Sequence, residues 1–589
     1  MDQALVCFKY TSLIDETLAN ELPNLNHMLS YIESLNRLGI LHQELEDFES
    51  ALEDFQTAVS VGKRALKSKT SNRVRELVSQ SLQREGAIFQ HLEEFDYAVT
   101  CFRESIYMEE DIVKADPSVD RLRMLCMTLN YLGSLHRVHE DFEQAFKVFK
   151  RSMSIFDTLQ KDEDRFECKD EICDTYNQVG ELHGDLGELE KALSYFEKVL
   201  DLHRIAVKQD PSPDFRKDLS AALVKVGDIH QALDHYDQAL DAFQQSLEVS
   251  RALMEQHPNI QHRRNWVFTL TRIAEIYKVF GQLEESAHLF ERAQHTYQNL
   301  IIEVPTILHR KELSLTLGHL GDLHRHFRRV ESALDCFQRS LTLNEEILQE
   351  EPYLDHQRDL SILFLKVGDI HQEMSRANQA IESFQKALEL QRELVELDPI
   401  PLHRRELYLT LSRIGEMYHA FHQYESALAS YHAAMEINQE LIEEMATGNR
   451  RHEQAVLNIK AGDVYRDGKR YEEGLEHYHF ALEVYEELID EAPIPLHHRG
   501  RQIAFSRINA LRLDQQRLTG IPATPELLQE YYGPQDGQGL DQQEADPSFL
   551  RQRSFEGITP IGSTGGQGLQ SALRAPSIHH LNQEGDGYQ

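Results

Sequence analysis

The chain has 589 residues, with 61 Lys and Arg against 98 Asp and Glu and a formal net charge of −37. A nucleic-acid backbone and an anionic membrane surface both repel such a charge, which argues against either as a partner. No run of about 18 apolar residues is present to insert in a membrane, and the N-terminus lacks the basic-then-apolar pattern of an export signal.

Residues 1–22 carry a small residue, Ala4, and a ring, Phe8, ahead of Pro23. The same spacing then returns at a fixed period of 47 residues. Its anchors are Gly39, Gly86, Gly133, Gly180, Gly227, Ala274, Gly321, Gly368, Gly415 and Gly462, with no insertion or deletion between them. Twelve residues after each anchor stands a small residue, from Ala51 to Gly474, and sixteen after it an aromatic, from Phe55 to Tyr478. A fixed period of this size marks a stack of identical supersecondary units. Residues 1–22 therefore read as the second half of a unit, which either caps the stack or continues a chain that begins upstream.

Ten full units over residues 23–495 follow. Before the anchor, Leu219, Leu223, Val226 and Ile229 fit one face of a helix; after it, Ala239, Leu240, Phe243 and Leu247 fit a second. A small anchor lets the two helices approach closely, and the aromatic fills the space beside it. Pro117, Pro211, Pro258, Pro305, Pro352, Pro399 and Pro493 all fall 31 residues after an anchor, where a missing amide ends the helix. Each helix should run about 20 residues, or roughly 30 Å. Residues 496–532 should supply capping helices, one over 496–515 and a short one at Thr524-Pro525-Glu526-Leu527-Leu528. From Gly533 the composition turns to Gly, Gln, Asp, Ser and Pro, which predicts a disordered tail over 533–589. Within it, Ser554 and Ser577 follow basic residues in the manner of phosphorylation sites.

Glycine, a ring three residues later (such as His42, His230 or Tyr277), a small residue at twelve, an aromatic at sixteen and a small residue at nineteen together resemble the tetratricopeptide repeat. The usual unit has about 34 residues, so this chain is similar to the long-helix variant of kinesin light chain-like and bacterial signalling repeat proteins. The resemblance implies an all-α, right-handed superhelical solenoid of antiparallel helix pairs whose first helices line a concave groove. It also implies a binding scaffold rather than an enzyme, with no particular ligand.

The residues agree that reaction chemistry is missing. His42, His136, His183, His230, His324 and His371 recur once per unit, so packing would hold them about 8–10 Å apart or more. That is too far to share a metal, and they read as packing residues that could charge near pH 6. Phosphate-loop, nucleophile-elbow and zinc-protease motifs are all absent, and no cofactor is expected. Six cysteines show no metal-like pairing and suit a cytoplasmic chain; Cys101, Cys336 and Trp266 read as core.

The first helices carry the informative variation. One residue after the anchor is acidic from the fourth unit on (Glu181 to Asp463), and two before it is usually basic (Lys225 to Lys460). Three residues apart on a helix, these predict neutralising pairs within each helix. The first three units instead have Ile40, Ala87 and Ser134 after the anchor, with Arg37 and Arg84 before it. Beside those arginines stand Asn36, Gln83, Asn130 and Asn177. A row of amides offers donors and acceptors to the backbone of a peptide, and arginines beside it favour carboxylates or phosphate. We therefore expect an extended or helical acidic peptide in the groove of the first four units. Self-assembly through the open ends of the stack, or service as a regulatory subunit, are the alternative roles.

Overall fold

Ten times among the described residues, two helices of about twenty residues are joined by one three-residue turn and pack antiparallel. The computed structural model describes residues 2–22, 24–157 and 167–519. Among these the chain is all helix, with no strand. The pairs run from Leu25–Glu44 with Phe48–Ser68 to Gly448–Asp467 with Tyr471–Glu491. The third pair departs in length: its second helix, Phe142–Phe156, has 15 residues where its counterparts have 21. Residues 524–528 and the tail from Gly533, with Ser554 and Ser577, lie outside the described residues.

The anchor works by close approach. A Cβ built on Gly227 would stand 2.5 Å from Cε1 of Phe243, and one on Gly133 would stand 2.4 Å from Cε1 of Phe149. At eight of the nine glycine anchors a methyl would come within 3.0 Å of the ring sixteen residues on; at Gly86 the nearest ring atom is 3.1 Å away. Phe55, Phe149, Phe243 and Phe384 are fully buried, as are the small residues Ala51, Ala145, Ala239 and Ala380. The sixth unit has Ala274 as anchor and Ser286 in the small position, and the serine hydroxyl donates to the Ala274 carbonyl at 2.7 Å.

The turn inside each pair has its own signature, which the sequence pattern does not announce. The Asp47 amide donates to the His42 carbonyl at 2.9 Å, and the Glu46 amide to the Gln43 carbonyl at 3.1 Å. This double bond closes a helix over a left-handed residue, and Glu46 has φ of 60°. The same conformation returns every 47 residues, at Glu93, Glu140, Gly187, Asp234, Gly281, Arg328, Ser375, His422 and Lys469. Glycine fits such a position without strain, yet of these ten only Gly187 and Gly281 use it.

The turn between pairs is fastened by a second, unforeseen row of histidines. His262, His309, His356, His403 and His497 are buried twelve residues before the anchor position. Each donates through Nδ1 to the carbonyl five residues back, where the preceding helix ends, at 2.7 to 2.9 Å. In the tenth unit Arg450 takes the same place and donates to the Met445 carbonyl at 3.0 Å.

Contacts divide the chain between Thr269 and Leu270 into two units. Within each, the core is a series of small clusters linking one helix pair to the next. One gathers Ala98, Phe102, Leu125, Leu129 and Leu132; another gathers Ala427, Tyr431, Leu457 and Val464. In the first unit the helix Asp2–Glu21 packs on Leu25–Glu44, with Ala19 beside Met28 and Ile32. In the second, Pro495–Thr519 closes on Tyr478 and Tyr485 through Ala504, Ile508 and Leu511.

Candidate interaction surface: the layer of first helices

Side-chain bonds between neighbouring pairs sort the helices into two layers. First helices bond to the next first helix, as Lys366 to Asp322 at 2.9 Å and Arg358 to Glu406 at 2.6 Å. Second helices bond to the next second helix, as Lys63 to Glu104 at 2.6 Å. The offsets match at both ends of the first helices, so these run parallel to one another.

The charged positions around the anchor form a ladder, but between helices. Lys225 reaches Glu181 at 2.9 Å, Arg413 reaches Asp369 at 2.6 Å, Lys460 reaches Glu416 at 2.5 Å and Arg507 reaches Asp463 at 3.0 Å. The expected pairing within one helix occurs at Arg272 and Glu275, 3.2 Å apart. The reason is reach: an extended Lys or Arg spans sideways to the parallel helix, whose acid lies beside its tip. Burial raises the Glu275 carboxyl, but Arg272 and a hydrogen bond from His319 outweigh it and hold the group at about 2. A second ladder runs nearer the helix starts, with Arg123 to Glu171 at 3.0 Å and Arg405 to Glu453 at 2.8 Å.

The six residues expected to hold a peptide are distributed differently from that expectation. Asn36 is buried; its Nδ2 donates to the Leu77 carbonyl at 3.2 Å, and its Oδ1 accepts from Ser81 at 2.6 Å. Gln83 donates to Glu109 and to Thr128, each at 2.7 Å. Asn130 is buried and accepts from Thr175 at 2.9 Å. These amides form a seam joining the first helices of units one to four, not an open row. Asn177 is half-buried, and its Oδ1 has no partner among the described residues. Arg84 is half-buried and engaged, so it is not a free cation; Arg37 alone of the six is exposed. The amides sit one residue from the ladder position, about 100° round the helix, and that step turns them into the neighbour.

Beneath the seam is an unusual carboxyl. Glu109 is 4% exposed and accepts from Ser79, Thr128 and Gln83, yet burial lifts it to about 7. The anchor-row histidines behave as packing residues. Nδ1 of His42 pairs with Asp54 at 2.7 Å, and Nδ1 of His183 with Glu188 at 2.7 Å. Burial pushes His136, His230, His324 and His371 below the ordinary value. Among the described residues no group of three or more His, Cys, Asp or Glu is placed to hold a metal. Cys101 and Cys336 are buried, while Trp266 is half-buried rather than core.

Sequence reasoning missed a row six residues before the anchor. It lies between the two ladders, four residues from each along the helix; in the first unit its Glu33 pairs with Arg73 of the next first helix at 2.7 Å. From the seventh unit on it reads Leu315, Ile362, Leu409, Val456 and Ile503; earlier it reads Glu33, Gln80, Met127, Asp174, Ala221 and Phe268. Its signal was present as a switch from mixed to uniformly apolar at one repeat position.

Family profiles described as tetratricopeptide repeat match residues 32–70, 172–214, 220–253 and 363–394. The chain carries tetratricopeptide repeats. No curated protein sequence matches it. Among solved structures it is similar to BtubC (BKLC) from P. vanneervenii, at 16% identity over 43% of this chain and 92% of that one, with a TM-score of 0.35. It is also similar to a signal transduction ATPase with a tetratricopeptide repeat sensor from Pyrococcus horikoshii, at 13% identity and a TM-score of 0.41. That match covers 65% of this chain and 52% of the ATPase. A third is the apo quorum sensor NprR from B. thuringiensis, at 14% identity over 68% of this chain and 99% of that one, with a TM-score of 0.40. Among the described residues no helix is long and apolar enough to cross a membrane.

Proposed function

We propose that this chain is a non-catalytic scaffold that holds a protein segment, extended or helical, in a groove along its first helices, and that it works in the cytoplasm. The observation that carries this reading is the division of labour in the first-helix layer. Many of its charged residues pair with one another in two ladders, and the row between them keeps exposed apolar side chains such as Leu315 and Leu409. Repeats of this family generally serve protein interaction. The buried amides Asn36, Gln83 and Asn130 hold the units together in this reading, and Arg37 is the exposed contact of the N-terminal part.

Affinity capture from native lysate with the full chain tests the proposal. A variant carrying Arg37→Glu and Leu409→Glu, both at exposed first-helix positions, should lose the proteins that the parent retains. Charge reversals on exposed second-helix positions, such as Glu425→Lys with Glu483→Lys, should keep them. Retention of the same proteins by the first-helix variant would show that binding lies elsewhere.

A further inference from the structure

We infer that the first-helix layer of the second unit is a docking trough for one acidic α-helix with an apolar residue at every seventh position. The inference rests on the scaffold reading above and names the partner class and its place.

Three observations converge. The first is the apolar row. Leu315 is 62% exposed, Leu409 36% and Ile503 40%, with Ile362 and Val456 half-buried between them. Five apolar side chains thus stand one per repeat, each at least partly open to solvent.

The second is dimension. Parallel packed helices lie about 8–10 Å apart, and seven residues of an α-helix advance about 10.5 Å. One face of a crossing helix therefore meets one row residue per seven of its own. The two ladders flank the row eight residues apart along each first helix, about 12 Å, which admits a helix about 10–12 Å across with its side chains. An extended strand is narrower, and its side chains alternate faces, so residues about 10 Å apart along it point oppositely.

The third is charge. The first helices from Ile307 to Thr519 carry 17 Lys and Arg against 12 Asp and Glu; the second helices from Leu283 to Glu491 carry 4 against 26. The trough layer is therefore +5 and the outer layer −22. Arg499, Arg501 and Arg512, at the trough's C-terminal end, have no carboxylate within 4.0 Å among the described residues. In the first unit the corresponding helices, excluding Ile260–Val279, carry 11 against 13 in the first layer and 14 against 20 in the second, so the layers there differ by 4 charges where those of the second unit differ by 27. An acidic partner is attracted to the trough and repelled by the back of the same unit.

The test is fluorescence anisotropy with the full chain and labelled synthetic peptides of about 28 residues, enough for four heptads. The probe has Leu at every seventh position in a Glu- and Ala-rich helix. Controls have the same composition with the leucines scrambled, the acids replaced by Lys, or two central prolines. The acidic heptad peptide should bind, and each control should bind at least tenfold more weakly. Leu315→Glu with Leu409→Glu, and separately Arg499→Glu with Arg512→Glu, should each weaken the probe at least tenfold with an unchanged thermal melt. Equal binding of the scrambled or proline peptide, or no effect of either variant pair, would overturn the inference. So would self-association that Leu409→Glu abolishes, or a tenfold gain on removing residues 533–589, since these assign the trough to a second copy or to the chain's own end. If lysate capture is lost in first-helix variants while the acidic helix fails to bind, the scaffold reading stands and this partner class falls.

Discussion

The ring laid on each anchor glycine sets the tolerance of the fold at single positions. Gly227→Ala places a methyl 2.5 Å from the Phe243 ring, and overpacking of this kind costs about 1–3 kcal/mol. Denaturant melts should show that loss, whereas Ala274→Gly at the natural exception should be milder. The left-handed turn residues offer the opposite change. Arg328, at φ of 58°, should gain up to about 1 kcal/mol on replacement by Gly, read as a higher melting temperature. Glu109 gives a pH-dependent case. Its folded value of about 7 lies above the ordinary carboxyl range. The folded state thus holds its proton more tightly, and stability is lost as pH rises from about 4.5 through 7. Glu109→Gln should therefore stabilise at pH 8, by roughly 3 kcal/mol at most, and leave stability at pH 4 nearly unchanged. A larger gain at pH 4 than at pH 8 would contradict the assignment.

Helices and turns were legible to different degrees. The 47-residue beat placed every helix pair, because helix packing fixes which positions must be small or aromatic and every unit repeats the demand. It did not reveal the left-handed turns, since Glu46, Arg328 and Lys469 are ordinary turn residues whose conformation is imposed by the closing hydrogen bonds. It also misdirected the amides. Asn36 and Gln83 look available in sequence, but the side of the helix they occupy is decided by the lateral neighbour, which lies about 45 residues away. The apolar row needed knowledge of which face is left uncovered. The anchor histidines lead to an expectation at this scale. Burial holds His230, His324 and His371 below the ordinary value, so the unfolded chain takes up protons first as pH falls. Their stability contribution is complete above about pH 6.5 and declines below it. Replacing all three by Tyr, the residue at Tyr277, Tyr418 and Tyr465, should flatten the melting temperature between pH 5 and 8. An equally steep profile in that variant would assign the acid sensitivity to other groups.

Across the whole molecule, the chain's negative charge is not spread evenly: the second unit concentrates it in its second helices and keeps its first helices slightly positive. Net charge alone argues only against nucleic-acid and anionic-membrane partners, and the contrast emerges once helices are assigned to layers. Repeat stacks present extended concave surfaces, and the proposal places binding on the surface built from the first helices. Amide hydrogen exchange on the full chain, with and without a partner recovered from lysate, tests that claim most directly. The account predicts slowed exchange in Ile307–His326, Leu354–Glu373, Pro401–Ala420 and Gly448–Asp467, with the second helices unchanged. Slowing confined to the second helices or to the turns between them would contradict it.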